Sequence, residues 1–103
     1  MSNWIKVVPL NEIPKLGARV VRHNGRDIAV FRTDGDEVFA MNDKCPHKGG
    51  QLSQGIVSGN SVTCPMHGMN ISLADGKAVA PDEGCVGTYP VKVEAGVVYL
   101  QIM

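Results

Sequence analysis

The stretch Arg19-Val20-Val21-Arg22-His23-Asn24-Gly25-Arg26-Asp27-Ile28-Ala29-Val30-Phe31-Arg32-Thr33 decides the fold class. Two runs rich in β-branched and apolar residues, Arg19 to His23 and Asp27 to Thr33, flank Asn24-Gly25. Asn-Gly favours a type I′ turn, which needs positive φ at both central residues and whose twist matches that of two antiparallel strands. The stretch therefore reads as a β-hairpin.

The same reading extends in both directions. Trp4 to Val8 forms a first strand, and Leu10 to Leu16 a loop held by Pro9 and Pro14. After the hairpin, Asp34-Gly35-Asp36 turns into a strand over Val38 to Met41. Gly55 to Ser58 and Ser61 to Thr63 pair around Gly59-Asn60, and Asn70 to Leu73 and Lys77 to Val79 flank Asp75-Gly76. Val91 to Glu94 and Val97 to Ile102 close the chain around Ala95-Gly96. No stretch carries a 3.6-residue apolar period, so short strands separated by turn signals predict an all-β protein, a compact antiparallel sandwich or barrel. Alternation nominates Val20, Ile28, Val30, Val38, Val91, Val93, Val98 and Leu100 as the core.

The chain has 103 residues, the size of one domain (1–103) with a single modest core. Its 12 glycines suit a fold of many tight turns. Ten basic residues balance ten acidic ones, so charge points neither to nucleic acid nor to a membrane surface. No apolar run approaches the roughly 20 residues of a membrane helix. The start, Met1 to Lys6, lacks the basic and apolar regions of a signal peptide, and a cytoplasmic location is expected.

Three cysteines, an odd number, argue against a disulfide framework. Two of them sit in short motifs, Cys45-Pro46-His47 and Cys64-Pro65-Met66-His67, separated by the 16 residues Lys48 to Thr63. Each motif offers one thiolate and one imidazole. Proline after each Cys restricts the backbone, and Gly49-Gly50 and Gly68 leave room for the backbone to approach a bulky centre. Backbone N–H groups in such loops can donate to bridging sulfides and tune a potential. Two Cys and two His can hold tetrahedral zinc. They can also hold a Rieske [2Fe–2S] centre, with both Cys on one iron and both His on the other. One Cys and one His in each of two similar loops, with no helix to carry a His pair, favours the two-iron unit. The segment from Asp43 to Gly68, rich in Gly, Pro, Cys and His, reads as a subdomain inserted on the β scaffold, spanning about residues 43–72.

These motifs resemble the Rieske pattern C-x-H followed by C-x-x-H. The resemblance runs through nearly the whole chain. Ile28 to Arg32, Cys45 to Gly50, Leu52 to Val57, Pro81 to Val86 and Thr88 to Val91 are similar to the small subunit of NAD(P)H-dependent nitrite reductase. That family implies a β fold of three sheets with a cluster-binding tip, with Cys45, His47, Cys64 and His67 as the cluster and metal ligands. It also implies a large redox subunit carrying flavin, an iron–sulfur cluster and sirohaem, in an assimilatory-type enzyme that reduces nitrite to ammonia. Free Rieske ferredoxins, which pass electrons from a ferredoxin reductase to a ring-hydroxylating dioxygenase, share size, fold and motif and stand as the alternative. A zinc-stabilised, non-redox binding module is the alternative of another class. Respiratory-chain Rieske proteins add a disulfide between the loops and hydroxyl donors from a Ser and a Tyr. Here Gly50 and Met66 occupy the disulfide positions, and Met69 and Ile71 the hydroxyl positions.

The remaining residues carry blander expectations. Cys85 reads as a small, buried or half-buried residue, and His23 as a solvated turn histidine. Lys44 and Lys48 flank the first loop, and Trp4 and Phe31 are packing residues. Met66 and Met69 either rim the tip or pack beneath it, and Gln51 and Leu52 are placed at the tip. No G-x-G-x-x-G or P-loop fingerprint and no paired carboxylates occur, so no catalytic residue is assigned. The chain is expected to be the electron-transfer subunit of an oxidoreductase and not a catalyst by itself.

Overall fold

The computed structural model describes residues 4–23, 25–44, 51–65, 68–79 and 84–101. Among them, ten strands form three antiparallel sheets. In chain order the strands are β1 (Trp4–Pro9), β2 (Gly17–His23), β3 (Arg26–Arg32), β4 (Val38–Asn42), β5 (Ile56–Ser58), β6 (Ser61–Thr63), β7 (Asn70–Ser72), β8 (Thr88–Tyr89), β9 (Val91–Glu94) and β10 (Val97–Gln101). The first sheet is ordered β1-β10-β9, the second β2-β3-β4-β8 and the third β5-β6-β7. The expected all-β, three-sheet architecture is observed.

The hairpin that decided the fold class is β2–β3. His23 pairs with Arg26, leaving a two-residue turn of which Asn24 lies outside the described residues. The loop between β1 and β2 contains a short 3-10 turn, Leu10–Glu12. Arg32 pins that loop, donating from Nη1 to the Ile13 carbonyl at 2.8 Å, while its Nη2 meets Asp36 at 2.9 Å. The expected pairing of 77–79 with 70–73 is present around the bridge from Ala78 to Ile71, with the Ser72 N–H donating to the Lys77 carbonyl and the Val79 N–H to the Asn70 carbonyl, both at 2.8 Å, and Lys77 also bridges Cys85. The two-residue strand β8, which extends the second sheet beyond β4, has no alternation long enough to read from sequence.

The core differs from the expected one in an instructive way. β3 is buried on both faces, with Ile28, Ala29, Val30 and Phe31 all at 0% exposure. Ile28 and Val30 join a core with Val8, Ile13, Ala40, Val98 and Leu100, between the first and second sheets. Ala29 and Phe31 join a second core with Met41, Leu52, Val57, Val62, Cys64, Met69, Ile71, Leu73 and Val86, between the second and third sheets. A strand covered on both sides reads as a continuous apolar run. Of the eight expected core residues, Ile28, Val30, Val98 and Leu100 are fully buried, and Val38 and Val91 pack partly buried against them. Val20 and Val93 are instead exposed, at 42% and 40%. Both lie on edge strands, β2 and β9, where the neighbouring sheet no longer covers the inward face.

Candidate cluster-binding end

The third sheet presents one apolar row inward. Val57, Val62 and Ile71 stand opposite one another across β5, β6 and β7 and are all buried, whereas the rows on either side are exposed or half-buried. This alternation presses the small sheet onto Phe31 and Met41 of the middle sheet and makes it a base for the two motif segments.

Cys64 follows β6 directly and is 0% exposed. Its N–H donates to the Met69 carbonyl at 2.7 Å, and its carbonyl accepts the Gly68 N–H at 3.0 Å. Two backbone hydrogen bonds therefore close the base of the segment that holds the second motif. Gly68 sits at φ +69°, a conformation that most residues with a Cβ avoid. Below the loop, Thr63 Oγ1 donates to Asn70 Oδ1 at 2.6 Å and ties β6 to β7.

The first motif lies between Lys44 and Gln51. Cys45 and His47, like His67 of the second motif, fall outside the described residues. The ends of the segment are described. Asp43 N–H donates to the Asp27 carbonyl at 2.9 Å, anchoring the outgoing strand on β3. The returning chain forms a 3-10 turn, Leu52–Gln54, whose Leu52 is 0% exposed in the same core as Cys64. Gly55 then passes so close to β6 that a Cβ there would run into the Thr63 carbonyl oxygen. The bases of both motif segments are thus held side by side at one end of the molecule.

The one described motif donor, Cys64, is a thiol suited to a thiolate-ligated group. Cys64 places its sulfur in an apolar shell that includes Leu52 and Met69, at the mouth of a loop preset by its own backbone hydrogen bonds. Among the described residues no three His, Cys, Asp or Glu side chains group as a metal site. Any such site here draws on the motif residues beyond Cys64.

Several expectations are corrected. Leu52 is a core residue and not a tip residue, whereas Gln51 is exposed. Of the two readings given for Met69, packing beneath the loop is the one observed, at 5% exposure, while Met66 lies outside the described residues. Cys85 is exposed and not buried, because its segment bridges Lys77 at the surface. His23 is half-buried beside its turn. Nothing in the sequence signals that Asp43, where the inserted segment begins, pairs with Ser53. Their pairing spans ten residues and no local pattern announces it.

A three-sheet β scaffold that anchors the bases of two Cys/His motif segments next to each other suits a small iron–sulfur electron carrier. The chain belongs to the Rieske-like [2Fe–2S] domain family, whose model matches residues 3–101. It carries one Rieske-type [2Fe–2S] cluster and is an electron-transfer domain, which sets zinc aside. A ferredoxin subunit of 3-phenylpropionate/cinnamic acid dioxygenase from Photorhabdus laumondii is 39% identical, over 93% of this chain and 91% of that protein. The Escherichia coli protein NirD has a similar structure, with a TM-score of 0.85, 25% identity, and 98% and 97% of the two chains covered. A Mycobacterium tuberculosis protein named provisionally as an NADH-dependent nitrite reductase small subunit shares the fold, with a TM-score of 0.89. It is 23% identical, with 100% and 97% of the two chains covered. No helix among the described residues is long and apolar enough to cross a membrane.

Proposed function

We propose that the protein is the electron-transfer small subunit of an assimilatory-type, NAD(P)H-dependent nitrite reductase. In this reading Cys45 and Cys64 ligate one iron and His47 and His67 the other, and residues 1–103 act as one cytoplasmic domain with a cluster-binding subdomain over about 43–72. The bound cluster supplies one-electron redox chemistry. The chain supplies ligation, burial and a docking end for a larger subunit that holds flavin and sirohaem.

One observation carries the reading. Two of the stretches that resemble nitrite reductase small subunits, Leu52 to Val57 and Pro81 to Val86, contribute described residues that brace the third sheet, from which Cys64 leaves. Leu52 to Val57 forms the turn and strand that press against β6. In the later stretch, Gly84 accepts the Ala78 N–H at 2.9 Å and Val86 N–H donates to the Gly76 carbonyl at 2.7 Å, bracing the far side of the third sheet. With no net charge on the chain, contact rests on local shape more than on long-range attraction, so transfer should depend only weakly on salt.

The second reading is a free ferredoxin serving a ferredoxin reductase and a ring-hydroxylating dioxygenase. The 39% identity to a dioxygenase ferredoxin subunit favours it. Affinity capture from the native host separates the two. Co-purification of a sirohaem- and flavin-containing protein, with NAD(P)H-dependent nitrite consumption, supports the first. Capture of an oxygenase with no nitrite activity overturns it.

Met69 and Ile71 are apolar and buried where respiratory-chain relatives place hydroxyl donors. Such donors stabilise the more negative, reduced cluster. Their absence predicts a midpoint near the low end of the Rieske range, roughly −150 mV. A redox titration giving a clearly positive midpoint contradicts the argument.

A further inference from the structure

The segment that bears Cys45 and His47 leaves the scaffold after Asp43 and rejoins it at Ser53, and these two residues grip each other. Asp43 is 7% exposed. Its Oδ1 accepts the Ser53 N–H and its Oδ2 accepts the Ser53 hydroxyl, both at 2.7 Å. A carboxylate so deep in the protein would be costly without partners, and hydrogen bonds to an ionised acceptor are the strong ones. Each end also has an anchor of its own. Asp43 N–H is bonded to Asp27 on β3 at 2.9 Å. Ser53 lies in the turn whose Leu52 shares a core with Cys64, and whose Gly55 rests on the carbonyl of Thr63, the residue before Cys64. The clasp therefore links the middle sheet, both ends of the first loop and the root of the second.

We propose that Asp43 and Ser53 are positioning residues: their paired hydrogen bonds close the first ligand loop and, through the Gly55–Thr63 contact, set its spacing from the second. Neither is a ligand. They act on the loop as outer groups act on the ligands of metal sites, by holding donors in the geometry the metal group requires. The inference rests on the ligand assignment proposed above.

The test uses the full chain, loaded with its cluster under anaerobic conditions and normalised to iron. The rate of cluster loss to excess iron chelator, the EPR spectrum of the reduced protein and the midpoint potential are measured for Ser53→Ala, Asp43→Asn and Ser53→Thr. Loss of a hydrogen bond to a charged group predicts release about tenfold faster in Ser53→Ala, with shifted g values and midpoint. Ser53→Thr keeps the hydroxyl and should stay within about twofold of wild type, on the same reasoning. If Ser53→Ala does not fold, Asp43→Asn, which keeps an acceptor for the Ser53 N–H, should still shift the EPR spectrum. Val98→Ala, in the core far from the loops, controls for general destabilisation. Equal release from Val98→Ala, or an unaltered spectrum and rate in the clasp variants, overturns the proposal. Cys45→Ser retaining a two-iron cluster with a wild-type spectrum overturns the ligand assignment instead, whatever the clasp variants do.

Discussion

The two cores on either face of β3 are built for different tasks. The one between the first and second sheets is made of aliphatic side chains, drawn from both ends of the chain and from the middle sheet. The one between the second and third sheets contains Phe31, Met41, Met69 and the ligand candidate Cys64, and its Leu52 belongs to the turn that follows the first motif segment. The same strand serves both, by alternating Ile28 and Val30 with Ala29 and Phe31. The comparison teaches that stability can be stored on one side of a strand while the other side doubles as the bed of a redox site. Methionine suits that side, because its unbranched thioether fills irregular space.

The comparison can be broken most decisively at Cys64. Cys64→Ala should abolish the cluster, leaving protein without iron or labile sulfide. The far core, which contains no motif residue, should preserve a β-sheet circular dichroism spectrum. Retention of two irons by this variant would remove Cys64 from the ligand set.

A matched pair sharpens it. Leu52 and Leu100 are both at 0% exposure, one in each core. Truncation of either to Ala should cost about 2–5 kcal/mol in denaturant unfolding. Only Leu52→Ala should also alter the EPR spectrum and the rate of cluster loss. If Leu100→Ala alters them equally, the two cores are one functional unit and the distinction fails.

Arg32 gives a smaller effect on the scaffold side. Its guanidinium bonds the Ile13 carbonyl at 2.8 Å and Asp36 Oδ1 from Nε at 3.0 Å, and its side chain is only 15% exposed. Arg32→Ala should destabilise by about 1.5–3 kcal/mol. The cluster spectrum should not change, because the loop that Arg32 holds, Leu10 to Leu16, belongs to the far side. The smallest effect is expected at Lys92, on the outer face of the first sheet, where Nζ lies 4.8 Å from the Trp4 ring centroid and 5.5 Å from that of Tyr99. Lys92→Ala should cost no more than about 1 kcal/mol, as exposed cation–π contacts do. Its redox properties should match wild type.

Much of the architecture was legible in the order of residues alone. The hairpins around Asn24-Gly25, Gly59-Asn60 and Ala95-Gly96 are all present, because turn chemistry and two-residue alternation act over a few neighbours. The cluster class was legible too, since its ligands must be Cys and His in short, proline-stiffened loops, and the family match agrees. What only the tertiary structure decided depends on which sheet faces which. β1 pairs with β10 across almost the whole chain, and β8 finds the edge of β4, pairings that no local pattern specifies. That stacking buries Ala29 and Phe31 as well as Ile28 and Val30, uncovers Val20 and Val93 at sheet edges, and turns Leu52 and Met69 inward. It also brings Ser53 to Asp43, across a loop whose closure is visible only once both ends are anchored. Local propensity acts through neighbours in the chain, whereas burial and side-chain pairing are properties of surfaces that exist only after the sheets have packed.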